Sequence, residues 1–223
     1  MEVLLEGAAL AAAAFFGGME TVYGAWAFDG KQEALSQVWN SRLLYKSAAV
    51  WFILLTGAWY GAAAAGGGIS RLLPQPGYLT SARIMALFLT YILLAAVDGR
   101  RRIVPDQILA CYLAGQLLMA AAGMDDGWIR CLIEGTVFAL LLAAVSWFLK
   151  GRFGMGDAKL LGVTAMTAGW MYSLQVLFTA MALAFFAGVW LLLFRKMSAK
   201  TEMPFVPFLA AGMTVHFFML LKL

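Results

Sequence analysis

The sequence predicts an all-α polytopic integral membrane protein, read as one domain over residues 1–223. Three observations carry that prediction. Of its 223 residues, 63% are hydrophobic and only 13% charged, about half the charge of an ordinary soluble domain. Apolar stretches recur along the whole length, as expected for repeated membrane crossings rather than one anchor. The longest polar stretch, roughly Glu20 to Lys46, is too short to bury a core of its own. Backbone polar groups must be satisfied internally in lipid, and segments of this length do so as helices, so no strands are expected.

A crossing needs about 20 apolar residues, fewer where neighbours cover its ends. That ruler gives about eight transmembrane segments: Val3–Gly18, Ser47–Ala65, Ser81–Val97, Gln107–Ala122, Trp128–Leu149, Ala158–Trp170, Leu174–Phe194 and Pro204–Leu221. The first opens on acidic rather than basic residues, so it reads as a membrane helix and not a cleaved signal. The sixth is short. Loops 19–46, 98–106, 150–157 and 195–203, together with Lys159, carry twelve of the sixteen basic residues. The excess of Lys and Arg assigns that side to the cytoplasm, with 19–46 as a cytoplasmic loop. The net charge of +4 is explained by this bias, so no nucleic-acid partner is expected; the lipid bilayer is the surrounding phase.

Two aspartates stand at segment ends. Asp98 closes the run from Met85 to Val97, and Asp157 opens the sixth segment after Gly154-Met155-Gly156. Carboxylates at the edge of hydrocarbon need a partner, a wet cavity or a task. Gly99 would allow the chain to leave the helix sharply at Asp98. Pro105 marks the entry to the next helix, with Asp106 in its first turn, where the helix dipole favours negative charge. The bland reading of Asp98 is a salt bridge to Arg100–Arg102, and that of Asp157 an N-cap. Gly151, Gly154 and Gly156 would let the backbone turn sharply and approach another chain closely. Lys159 would by default face lipid phosphate, or else an acid.

Two carboxyls sharing one proton can hydrolyse a peptide without metal or covalent nucleophile, because like charges a few ångströms apart do not both ionise easily. Helix-end fields alone favour charge on Asp157 and a proton on Asp98, with the arginine run opposing the second effect.

Asp98 with Pro105-Asp106, then Gly154-Met-Gly156-Asp157-Ala-Lys159-Leu-Leu, then Pro204-Phe-Val-Pro207-Phe208, in that order, resemble the signatures of the type IV prepilin peptidases, which are GxGD-type intramembrane aspartyl proteases. The resemblance covers roughly Met85 to Met213 and sets the catalytic core at 81–213. It implies that Asp98, the first acid of its Asp-x7-Asp stretch, and Asp157 are the catalytic pair. Gly154, Gly156, Lys159, Pro204 and Pro207 would line the substrate groove. The substrate would be a prepilin-like precursor with an N-terminal membrane helix, whose short basic leader is removed at the cytoplasmic face of the cell membrane, typically after a glycine. Larger bifunctional relatives also carry a cysteine-rich zinc region and methylate the new N-terminus. Residues 19–46 contain no cysteine, so a thiolate zinc site is not expected there. A peptidase without N-methyltransferase activity, metal or cofactor is therefore the expectation.

An alternative from another class is a small ion- or proton-coupled transporter, since intramembrane carboxylates near broken helices also suit ion coupling. No counterpart of Gly154–Asp157 occurs in the first half to suggest a repeat. An assembly factor with a degenerate site is a third possibility, opposed by the presence of both acids. His216, the only histidine, reads as a core or interfacial residue, and no Gly-x-Ser-x-Gly elbow supports a serine triad. Cys111 and Cys131 read as buried small hydrophobes.

Overall fold

The computed structural model describes residues 2–29, 42–64, 78–123, 127–148, 154–195 and 203–222. All regular structure among them is helical: α1 (Glu2–Asp29), α2 (Arg42–Ala64), α3 (Tyr78–Arg101), α4 (Asp106–Gly123), α5 (Gly127–Phe148), α6 (Met155–Ala168), α7 (Trp170–Arg195) and α8 (Val206–Lys222). The order follows the expected segments one for one. Three of these helices contain runs long and apolar enough to cross a bilayer by themselves, Ala82–Arg101, Trp128–Phe148 and Trp170–Phe194, and Lys46–Gly57 and Val206–His216 are shorter apolar runs. The protein is a multi-pass membrane protein.

Helix α3 is the centre. It packs against α1, α2, α4, α6 and α8, and Ile84, Leu87, Tyr91 and Leu94 are fully enclosed on it. Helices α5 and α7 lie outside, with Leu140, Leu141, Phe185, Phe186 and Trp190 more than half exposed, the apolar exterior that a lipid phase accepts. Helix α6 has 14 residues, about 21 Å of rise against a hydrocarbon core of about 30 Å, and it is buried along most of its length.

Several boundaries differ from expectation. Helix α1 runs through Gly17–Gly18 to Asp29, so residues 19–29 of the expected loop are helix and only 30–41 lie outside the described residues. The glycines are packing positions: a Cβ on Gly18 would come within 2.9 Å of the Leu44 carbonyl, and one on Gly17 would strike the Trp51 ring. Glu20 is thereby carried inside, 1% exposed, where Thr90 Oγ1 donates to its Oε2 at 2.8 Å. The sixth segment ends at Ala168; Gly169, at φ 90°, turns the chain so that Trp170 opens α7. Of the basic residues used for orientation, Lys31, Lys150, Arg152, Lys196 and Lys200 lie outside the described residues. Arg83, counted on the opposite side, is buried and donates from Nε to Gln116 Oε1 at 3.0 Å. Cys111 and Cys131 are buried, and neither is in a disulfide among the described residues. His216 Nε2 meets Thr179 Oγ1 at 2.9 Å.

Candidate active site

Helix α3 does not end at Asp98. It continues through Gly99 to Arg101, and Arg102 takes the left-handed exit at φ 55°, donating its N–H to the Asp98 carbonyl at 2.8 Å. A left-handed turn at a non-glycine residue costs about 1–2 kcal/mol. The exit therefore comes three residues later than Gly99 suggested, and Asp98 sits one turn inside the helix, 6% exposed.

Asp98 is also tied to the far end of the sequence. The backbone N–H of Val206 donates to its Oδ2 at 3.2 Å. Val206 is the first residue of α8, where N–H groups lack partners inside the helix. Pro204 and Pro207 flank it and have no N–H to offer. Phe208 N–H turns back to the Phe205 carbonyl at 2.9 Å. The carboxylate of one helix thus caps another.

Asp157 occupies the third position of α6, after the N-cap Gly154 and Met155-Gly156; it is not the cap residue. Burial, and then the nearby Asp98 carboxylate, push its carboxyl from the ordinary value near 4 up to about 6. The Asp98 charge acts on Asp157, in keeping with the two acids lying at the same end of the bundle. Tyr91 and Thr164 fix the register. Tyr91 lies two turns before Asp98 on α3, and Thr164 two turns after Asp157 on α6. Their hydroxyls meet at 2.7 Å in the buried core. Antiparallel helices pinned there, two turns inward, bring residues 98 and 157 face to face.

The glycines before Asp157 provide room rather than a turn. Gly154 has φ −62° and ψ 128°, available to any residue. A Cβ on it would approach Asp157 Oδ2 to 2.6 Å, and one on Gly156 would approach Val104 Cγ2 to 2.9 Å. Gly151 lies outside the described residues. Lys159 faces an acid rather than lipid phosphate: its Nζ donates to Asp106 Oδ1 at 2.7 Å. Asp98, Asp157, Gly154, Gly156, Lys159 and the Pro204–Pro207 turn therefore gather at one end of the bundle. The sequence reading missed the Val206 N–H, the Tyr91–Thr164 pair and buried Glu20. Among the described residues, no group of three or more His, Cys, Asp or Glu side chains is placed to hold a metal ion.

The profile of the type IV leader peptidase family matches residues 83–192, which include both acids. These residues belong to that family. The chain is 32% identical over 142 residues to a prepilin leader peptidase/N-methyltransferase of Aeromonas hydrophila, covering 60% of this chain and 48% of that protein. It is 33% identical over 134 residues to one from Pseudomonas putida, covering 57% and 46%. It is 27% identical over 124 residues to one from Bacillus subtilis (strain 168), covering 54% and 49%. The chain thus spans about half the length of the curated relatives it matches. No solved structure matches it. The match falls on a peptidase family, and nothing in it favours a transporter.

Proposed function

We propose that the protein is an intramembrane aspartyl endopeptidase that removes the leader from prepilin-like precursors, with Asp98 and Asp157 as its catalytic pair. The observation that carries this reading is that two carboxyls, Asp98 and an Asp157 pushed up to about 6 by burial and by the Asp98 charge, lie at one end of the bundle within the segment that matches a leader peptidase family. A water held between them would attack the scissile carbonyl. The ionised carboxylate takes a proton from that water while the protonated carboxyl gives its own to the carbonyl oxygen. Collapse of the tetrahedral intermediate breaks the C–N bond and sends a proton to the leaving amine.

Gly154, Gly156 and the Pro204–Pro207 turn would border the extended substrate segment, and the Asp106–Lys159 pair would hold α4 against the start of α6. The bias of basic residues supports a cytoplasmic active site, and a substrate with a membrane helix would reach it along the bilayer. The relatives' names carry both a peptidase and an N-methyltransferase; the cysteine-free 19–46 segment supports the peptidase alone.

The test is incubation of the bilayer-reconstituted protein with a prepilin-like precursor, followed by mass measurement of the product. The expected product has lost its leader and gained no methyl group. Asp98→Asn and Asp157→Asn each lower turnover by at least about 10²-fold, the usual scale of general acid–base catalysis. Cleavage at wild-type rate by both variants would reject the pair.

A further inference from the structure

The two acids are chemically identical, so a reaction needing one base and one acid requires something to break the tie. Helix-end fields alone would place the charge on Asp157 and the proton on Asp98. The geometry adds a donor that reverses this. Asp98 accepts the Val206 N–H, a bond that stabilises the ionised form of a carboxylate. Among the described residues Asp157 receives no hydrogen bond of that kind, and burial and the Asp98 charge are what raise it.

The donor is singled out by its surroundings. In the first turn of α8, residue 207 is proline and Phe208 N–H is used by the Phe205 carbonyl, as is Leu209 N–H at 3.1 Å. Val206 alone remains, its side chain 1% exposed, and Asp98 satisfies it. Pro207, which follows it, has no N–H to compete for the carboxylate.

Among the described residues, the charged groups around the pair are few. Arg102 is the cation of the same helix end that acts on Asp98, with Arg100 and Arg101 in the last turn of α3. Helix α6 contributes Asp157, and its Lys159 is engaged by Asp106 of α4. From Val206 to Met213, helix α8 has no ionisable side chain; its contribution is the backbone dipole and this one N–H. Burial disfavours charge on both acids, and the amide discriminates between them.

We propose that the Val206 N–H is the positioning donor that makes Asp98 the ionised base of the pair, so that the shared proton rests on Asp157. This rests on the peptidase reading for its catalytic meaning, but the order of ionisation is a property of the protein without substrate. The experiment is a titration of the full chain in nanodiscs with ¹³C-carboxyl-labelled aspartate, the two signals assigned through Asp98→Asn and Asp157→Asn. The expected result is that Asp98 ionises at the lower pH. Val206→Pro deletes the N–H at a first helical position that tolerates proline, and it raises the Asp98 midpoint toward that of Asp157. Val206→Ala keeps the N–H and leaves both midpoints in place.

In the cleavage assay, Val206→Pro lowers kcat about tenfold, the scale of one hydrogen bond to a charged group, and moves the acid limb of the rate profile to higher pH. KM stays within about twofold, since no ground-state contact to substrate is removed. Ionisation of Asp157 first in the wild type overturns the inference, with no substitution needed. So does a Val206→Pro protein with unchanged midpoints, or a Val206→Ala protein that shifts as much as the proline variant. Absence of precursor cleavage by the wild type would instead defeat the peptidase reading, while the titration still decides which acid holds the proton.

Discussion

Helices α3 and α7 are both long and apolar enough to cross a membrane, but they are solved by the fold in opposite ways. Of the crossing window, 56% is buried inside the protein in α3 and 17% in α7. Along α7, Phe178, Phe185, Phe186, Leu193 and Phe194 face outward. Along α3, the residues that hydrophobicity would forbid are the ones enclosed: Arg83, Thr90 and Asp98, with the hydroxyl of Tyr91 bonded to Thr164. They recur about every seven residues, so they fall on one side of the helix. Apolar content marks both helices as membrane segments, whereas a polar stripe of helical period distinguishes the one that faces protein.

Glycine substitutions break this comparison most sharply. Gly135 of α5 packs so closely on α6 that an added Cβ would land on the backbone of Met166, which has no free rotation to yield. Gly188 of α7 has only the end of the Met203 side chain near it, at 3.6 Å. Gly135→Ala is expected to destabilise the protein by about 1–3 kcal/mol, as overpacking does, lowering the thermal midpoint by about 3–10 °C. Gly188→Ala is expected to leave it unchanged or slightly raised, since alanine restricts the unfolded chain and favours helix. Equal loss in both would mean that α7 is packed as tightly as the inner face. Thermal unfolding followed in detergent or nanodiscs reads both.

A second, smaller effect concerns the cost of keeping a carboxyl inside. The Asp157 carboxyl is raised by burial and by Asp98 to about 6 in the folded protein, against about 3.9 when unfolded. The folded state therefore binds more protons than the unfolded state between those values. The stabilisation from holding that proton is complete below about pH 4 and lost as pH rises through about 6. Asp157→Asn, neutral at every pH, escapes that loss. Its thermal midpoint is expected to exceed the wild type by about 2–4 °C at pH 7.5, the scale of one kcal/mol in a chain this size. The difference should close by pH 4. A variant less stable than wild type at pH 7.5 would mean that the carboxylate is held by bonds stronger than its burial penalty.

How much of this could be read in advance depended on whether the signal was local. Eight apolar stretches and the two acids near helix ends follow from residue type and spacing. Local breaker rules did worse. Gly17–Gly18 resemble a helix end, yet their missing side chains admit Trp51 and Leu44, and α1 continues. That error placed Glu20 in a loop, when its bond to Thr90 joins α1 to α3. Gly99 resembles an exit, yet Arg102 takes the left-handed turn. The glycines before Asp157 resemble a turn and prove to be clearance for a carboxylate and for Val104. What a glycine does depends on what packs against it, and for Gly17, Gly18 and Gly156 that partner lies dozens of residues away. The Val206 N–H, 108 residues from Asp98, has no side-chain signature; its only trace is the proline that follows it.

The smallest expected effect separates Asp106 from Asp98, two acids in one short stretch. Asp106 is 69% exposed and its partner Lys159 47% exposed, at 2.7 Å across the start of α4 and α6. An ion pair that open to solvent contributes about 0–1 kcal/mol, and helix-dipole stabilisation at the first turn adds a few tenths at the surface. Asp98, in contrast, is 6% exposed and bonded to a buried amide, so its loss removes a group that water cannot replace. Asp106→Asn is accordingly expected to keep at least about half of wild-type turnover, with a thermal midpoint within about 2–4 °C. Raising the salt concentration should shrink even that difference, because exposed pairs are screened. A loss in Asp106→Asn as deep as that in Asp98→Asn would make Asp106, and not Asp98, the partner of Asp157, and the buried end of α3 would then need another explanation for its acid.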